Sequence, residues 1–273
     1  MEYKLIACDM DATSLNSEKI ITPRTLAAMK RAVEMGKIVA FSTGRNISIV
    51  KPYMELIPGM RYAITSSGGA VNDIFTGERL YEDCMSFDTA KKLIEATAGR
   101  DVLQVLYLGD KSYCNNWTAE RAADFGVADF EEMYRKYMTK VPSVADFLYE
   151  NPAPVQKFNF IYTKEADCAA VYERIKDLPI SFTSLMPKEM EINAAGVNKA
   201  GGLRGLCRSL GVDMAQCIAI GDAQNDIEVI KEAGLGVAME NASDDVKAAA
   251  DAVVPDCDHD GVAVCIESFL LAE

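Results

Sequence analysis

The sequence predicts an α/β fold, a doubly wound and mostly parallel sheet, with a second α+β domain inserted into it. Three observations predict it. Short apolar runs at residues 5–8, 37–41, 62–65 and 217–220 read as buried strands, and each stops at a cluster of small or polar residues. Helical segments separate strands at the spacing of parallel crossovers. From 83 to 189 the pattern changes to alternating strands, which suits an antiparallel sheet with one open face. Residues 1–82 and 190–273 thus read as one domain and 83–189 as the insert.

The first strand ends at two carboxylates one residue apart, Asp9 and Asp11, with the hydroxyls of Thr13 and Ser14 close behind. In an open α/β sheet such groups stand at the carboxyl edge, where ligands bind. Read alone, the pair is equally an ordinary solvated turn. Two other readings fail on residue identity. A calcium loop starting at Asp9 needs Gly sixth and Glu twelfth, and those positions hold Ser14 and Ile20. A phosphate-binding P-loop needs Gly-x-x-x-x-Gly-Lys-Ser/Thr, which this stretch lacks.

A helix over 22–36 follows, with Thr22 as cap, Pro23 in the first turn, Leu26, Met29 and Val33 on one face, and Gly36 at its end. The second strand runs into Ser42-Thr-Gly-Arg45, residues 46–57 read as helix, and the third strand ends in Ser66-Ser-Gly-Gly69. Residues 70–81 read as a hairpin turning at Thr76-Gly77. Beyond it come helices at 88–98 and 165–176 and strands at 102–108, 111–115, 155–162, 180–185 and 190–193, with helical or irregular chain up to 150. Parallel logic resumes in a helix over 197–211, where Asn198 caps and Gly201 or Gly202 answers to close packing. The strand at 217–220 ends in Gly221-Asp-Ala-Gln-Asn-Asp226. Helix 226–233, strand 235–238, helix 242–250, strand 252–254 and helix 260–271 complete the sheet.

Composition narrows the chemistry. A net charge of −13 argues against nucleic-acid and anionic-membrane partners and favours a divalent cation as cofactor. No apolar run reaches the length of a membrane span, and the N-terminus enters a strand with no signal-peptide layout. The eight cysteines are scattered, without a Cys-x-x-Cys, and read as reduced thiols of a cytoplasmic protein. His259, the only histidine, cannot build the usual zinc site or a Ser/His/Asp triad. Chemistry therefore falls to carboxylates, hydroxyls, a lysine and a metal.

Three strand tips carry such groups: Asp9 and Asp11, Thr43, and Asp222 with Asn225 and Asp226. In a doubly wound sheet all three face one crevice. Four converging carboxylates repel unless compensated, and Mg²⁺ takes oxygen ligands and completes its shell with waters and phosphate oxygens. Lys199, at a helix N-terminus, would suit a dianionic group beside it, although alone it reads as a solvated lysine.

The run Asp9-Met-Asp-Ala-Thr13, then Ser42-Thr-Gly-Arg45, Gly196-Val-Asn-Lys199 and Gly221-Asp-Ala-Gln-Asn-Asp226 resemble, in order and spacing, the haloacid dehalogenase-like (HAD) phosphohydrolases. The large insert, and Gly236-Val-Ala-Met-Glu-Asn-Ala242 after the fourth motif, resemble the Cof-type subgroup with a C2B cap. The likeness covers essentially the whole chain. It implies a Rossmann-like core and a Mg²⁺-dependent phosphatase of a small phosphorylated metabolite, a monomer or homodimer. Asp9 would be the nucleophile and Asp11 the general acid and base. Thr43 and Lys199 would hold the phosphoryl group, with Ala12, Gly44, Arg45 and Asn225 lining the phosphate pocket. Asp9, Asp11 through its main-chain carbonyl, Asp222 and Asp226 would surround the metal. A phosphomutase of the same fold, or a non-catalytic module binding metal or phosphate, also fits. Two positions depart from the pattern: Ala12 stands where Gly is usual, and Ser67-Gly68 where Asn-Gly is common. Ala12 would be unstrained at negative φ and strained at positive φ.

Overall fold

The structure is a computed structural model and describes residues 2–272. Its strands are β1 (Leu5–Cys8), β2 (Ile38–Ser42), β3 (Tyr62–Thr65), β4 (Ala70–Asp73), β5 (Glu78–Glu82), β6 (Val102–Leu108), β7 (Lys111–Asn115), β8 (Thr139–Val141), β9 (Lys157–Tyr162), β10 (Ile180–Met186), β11 (Glu189–Ala194), β12 (Cys217–Gly221), β13 (Leu235–Met239) and β14 (Ala252–Val254). The helices are α1 (Pro23–Glu34), α2 (Ile47–Met54), α3 (Phe87–Ala96), α4 (Glu131–Tyr137), α5 (Val144–Glu150), α6 (Glu165–Ile175), α7 (Lys199–Leu210), α8 (Ile227–Glu232), α9 (Asp244–Ala249) and α10 (Gly261–Cys265). Two compact units result. One holds the chain up to Arg45, Val50–Glu82 and everything from Asn198 on; the other holds Asn46–Ile49 and Asp83–Val197.

The first unit is built on an eight-stranded sheet ordered β14-β13-β12-β1-β2-β3-β4-β5. Pairing is parallel from β14 to β3, and the β3-β4-β5 end is antiparallel. The α/β reading of a doubly wound, mostly parallel sheet is therefore correct. β1 is buried throughout, which is why its sequence runs apolar without alternation. Leu5 and Ala7 pack with Ala40 and Ile64 against Ala200, Leu203 and Leu206 of α7. That helix contains three glycines, each costing about 1 kcal/mol against Ala. Burial of Leu203 and Leu206, at about 1.5–3 kcal/mol each, offsets much of that cost. Asn198 caps α7 by accepting from the Gly201 amide, and Gly211 ends it in the left-handed conformation.

The second unit carries a six-stranded sheet, β10-β11-β9-β6-β7-β8, antiparallel except where β7 meets β8. Phe158, Phe160 and Tyr162 of β9 point into one apolar cluster with residues of α3, α5 and α6. The boundary placed at 189/190 moves to 197/198. The strand expected at 190–193 is β11, and it pairs with β10 and β9 of the second sheet. Its own alternation, Glu189 and Glu191 against Met190 and Ile192, fits that half-open sheet and not a buried parallel one. Two further expectations change. β8 lay in the stretch read as helical or irregular, and the last helix stops at Cys265, with Ile266–Leu270 continuing as a π-helical turn.

Candidate active site

β1, β2 and β12 lie side by side in the sheet and end at the same edge. β1 therefore delivers Asp9 next to Asp222, which follows β12, and near Thr43, which follows β2. Lys199 opens α7 and is buried, with Nζ donating to Asp9 Oδ1 at 2.6 Å and to Asp226 Oδ1 at 2.7 Å. The other oxygen of Asp226 accepts from the amides of Asp222 and Ala223 at 3.2 and 3.1 Å. Thr13 Oγ1 donates to Asp222 Oδ1 at 2.7 Å, and Ser14 Oγ donates to the Asp9 carbonyl at 2.6 Å. Carboxylate oxygens of Asp9, Asp222 and Asp226 all lie within 4.8 Å of one another.

The Asp11 carboxylate stands outside that group of three. It is gripped by Arg45, whose Nε donates to Oδ2 at 2.8 Å and Nη2 to Oδ1 at 2.6 Å. Thr43 is buried, and its hydroxyl accepts from the Arg45 amide at 3.2 Å. Gly44 lies in the loop between them. The loop after β3 braces this one: Ser66 N donates to the Arg45 carbonyl at 2.9 Å and Ser67 N to the Thr43 carbonyl at 3.0 Å. Both serines have positive φ, 53° and 58°, and both are fully buried. Asn tolerates the left-handed region better than Ser does, which gives a backbone reason for the Asn common at that place. Asn225 Oδ1 is buried with no hydrogen-bond partner among the described residues.

Ala12 has φ 56°, so the unstrained, negative-φ alternative is ruled out and the position carries strain. Its carbonyl accepts from Asn241 Nδ2 at 2.8 Å. Asn241, Thr13 and Ser14 are supporting residues to which the sequence reading gave no role. The signals available were the Thr13 and Ser14 hydroxyls just behind the acids of β1, and Asn241 in the run 236–242 that follows the fourth motif.

Electrostatics set the three acids apart. Burial pushes the Asp9 carboxyl up to about 8; Lys199 opposes this, while Asp226 and Asp222 reinforce it. Asp222 is also raised by burial, with the Thr13 hydrogen bond working the other way. Burial would raise Asp11 too, but the Arg45 fork outweighs it and holds the carboxyl below the usual carboxylate range. Lys199 loses hydration on burial, yet Asp226 and Asp9 hold its ammonium well above the ordinary value.

A doubly wound sheet whose edge gathers acids around one buried lysine is an α/β fold with a charged cluster at the ligand-binding edge. The family model for haloacid dehalogenase-like hydrolases matches residues 6–266, and the chain belongs to that family. It is 30% identical over 273 residues to 5-amino-6-(5-phospho-D-ribitylamino)uracil phosphatase of Bacillus subtilis, covering 99% of this chain and 97% of the relative. It is 28% identical over 274 residues to pyridoxal phosphate phosphatase of Escherichia coli, covering 99% and 100%. A solved haloacid dehalogenase-like hydrolase from Bacteroides thetaiotaomicron shares the fold with a TM-score of 0.85 at 27% identity, over 98% of this chain and 99% of that one. Among the described residues, no helix is long and apolar enough to cross a membrane.

Proposed function

We propose that the chain is a Mg²⁺-dependent phosphatase that hydrolyses a small phosphorylated metabolite, a sugar phosphate or phosphorylated cofactor, through an aspartyl-phosphate on Asp9. One observation carries it: Asp9, Asp222 and Asp226 converge around Lys199 at the edge of the sheet. The phosphatase names of the relatives support the substrate class.

The donor set fits the metal. Three carboxylates lie around one ammonium, and burial raises the Asp9 carboxyl, so added positive charge favours its ionised form. Hard oxygen donors suit Mg²⁺. Asp9, Asp222 and the Asp11 carbonyl would hold the ion. Asp226 lends charge, since one of its oxygens is on Lys199 and the other on two amides. When bound, the ion would offset charge on the phosphoryl oxygens.

The chain's own residues do the rest. Asp9 attacks phosphorus as the bond to the leaving oxygen breaks, and Asp11 gives that oxygen a proton. Asp11 then takes a proton from the water that attacks the aspartyl-phosphate, which releases phosphate and restores Asp9. Lys199, held by Asp226, keeps Asp9 in place and donates to the phosphoryl group, and Thr43 donates its hydroxyl to the same group. Asp11 is ionised in the Arg45 fork, so the fork must open before it can carry a proton; Arg45 is then free to bind phosphoryl oxygens. Asn225 would donate from its amide into the same pocket.

The test is a panel of phosphorylated metabolites assayed with Mg²⁺, run beside Asp9→Asn. Wild type should release phosphate from at least one member, and the variant should be slower by roughly 10³-fold or more. A variant equal to wild type removes Asp9 as nucleophile. No phosphate release from any member removes the phosphatase, and a sugar phosphate isomerised without free phosphate makes the enzyme a mutase.

A further inference from the structure

We propose that Cys207 and Cys217 form a dithiol that a hydroperoxide oxidises to a disulfide, pinning α7 to β12 inside the first unit. In sequence these cysteines look like two more scattered core residues. The fold brings them together. Cys207 lies on the buried face of α7 beside Leu206, Cys217 opens β12, and both belong to the same apolar cluster. Their Sγ atoms are 3.3 Å apart, and Cys217 Sγ is also 3.4 Å from the Asp213 carbonyl. A disulfide needs sulfurs about 2.05 Å apart, so closure asks each side chain to move by only about 0.6 Å.

The two thiols are not equivalent. Cys217 Sγ donates to the Asp213 carbonyl, which keeps its proton in place, so Cys207 is the attacking sulfur. The bond between the two thiols likewise pushes Cys217 up, with burial adding to it, and holds Cys207 lower. Its thiolate attacks one oxygen of hydrogen peroxide; the S–O bond forms, the O–O bond breaks, and hydroxide leaves and is protonated to water. Cys217 then attacks the sulfenic sulfur. The S–S bond forms, the S–O bond breaks, and the departing hydroxide takes the Cys217 proton. Two thiols and one peroxide become one disulfide and two waters, with two electrons passing from sulfur to peroxide. Both sulfurs are buried, but the chain joining α7 to β12 runs through residues 211–216, none of them buried, and local opening there admits a molecule as small as peroxide.

The bond would join the far end of α7 from Lys199 to the end of β12 far from Asp222. It should therefore leave phosphatase turnover in place and make the core harder to unfold. The test uses the full chain with Cys84→Ser and Cys257→Ser, which remove the two less buried cysteines. Reduced protein is treated with hydrogen peroxide, alkylated and digested with trypsin. Peptides 205–208 and 209–231 should be recovered linked, and dithiothreitol should separate them. The oxidised protein should melt about 5 °C higher, and the rise should vanish with reduction or with Cys207→Ser. Full alkylation of both cysteines, under peroxide that has already oxidised methionine, overturns the proposal. So does recovery of Cys207 as an unlinked sulfinic acid, and a linked protein with unchanged Tm overturns the pinning.

Discussion

At Ala12 the methyl group sits on a left-handed backbone, φ 56°, a conformation costing an L-residue about 1–2 kcal/mol. The bond from Asn241 to its carbonyl helps hold the turn there. Ala12→Gly removes that cost but adds about 0.5–1 kcal/mol of backbone freedom to the unfolded chain. We expect a net rise in stability of about 0.5–1 kcal/mol, read as a higher urea midpoint at unchanged slope. A clear loss of stability would contradict the left-handed assignment. Asp73 offers a second residue-level prediction. The Arg61 guanidinium, with the amides of Phe75 and Thr76, holds its carboxyl at about 2 against an ordinary 3.8. A depressed folded value means stability that is present above about pH 4 and lost as pH falls through 2. Arg61 is 40% exposed, so solvent screening reduces the contribution to about 1 kcal/mol. Asp73→Asn should cost that much at pH 7 and much less at pH 2; an equal cost at both would assign the effect to the turn.

Among the elements, α7 separates two glycines that the sequence could not distinguish. A Cβ on Gly202 would come 2.4 Å from Ile64 Cγ2 and 3.0 Å from Gly68 Cα, so β3 and the loop after it leave no room. A Cβ on Gly201 would meet nothing closer than 3.5 Å. Gly202→Ala should cost about 1–3 kcal/mol, and Gly201→Ala should gain up to about 1 kcal/mol from helix propensity. Thermal melts of the two variants check this, and shifts of the same sign would refute it. Motifs need the same scrutiny. Asp256, Asp258, Asp260, Gly261 and Glu267 match the spacing of a calcium loop. In the structure these groups brace their neighbours. Asp256 accepts from the amides of Asp258 and His259, Asp258 accepts from Ser17, Asp260 accepts from Thr22, and Glu267 pairs with Arg24. Helix α10 begins at Gly261, and Glu267 lies beyond it in the π-helical turn Ile266–Leu270, paired with Arg24.

Across the whole molecule, what was legible in sequence was what burial writes plainly. β1, β2, β3 and β12 are apolar runs because both faces of the central sheet are covered, and their polar ends marked Asp9, Thr43 and Asp222. β8 was invisible because three residues, two of them exposed, carry no periodicity. Nor could one chain show that Arg45 grips Asp11 or that Lys199 is buried between Asp9 and Asp226, because those pairings come from strands and a helix distant in sequence. That buried cluster leads to the last prediction, which needs no substrate. An ion binding only the folded state stabilises it by about 2.7 kcal/mol at one hundred times its Kd, roughly 5–10 °C in Tm. Mg²⁺ should raise the melting temperature and EDTA should reverse the rise. A chain of net charge −13 also gains from simple screening, so NaCl at matched ionic strength is the necessary reference. Asp222→Asn removes a charge from the cluster and should lose the Mg²⁺-specific part of the shift while keeping the salt effect. If wild type responds to Mg²⁺ no more than to NaCl, or the variant responds as wild type does, Asp9 and Asp222 do not hold a metal beside the Asp11 carbonyl.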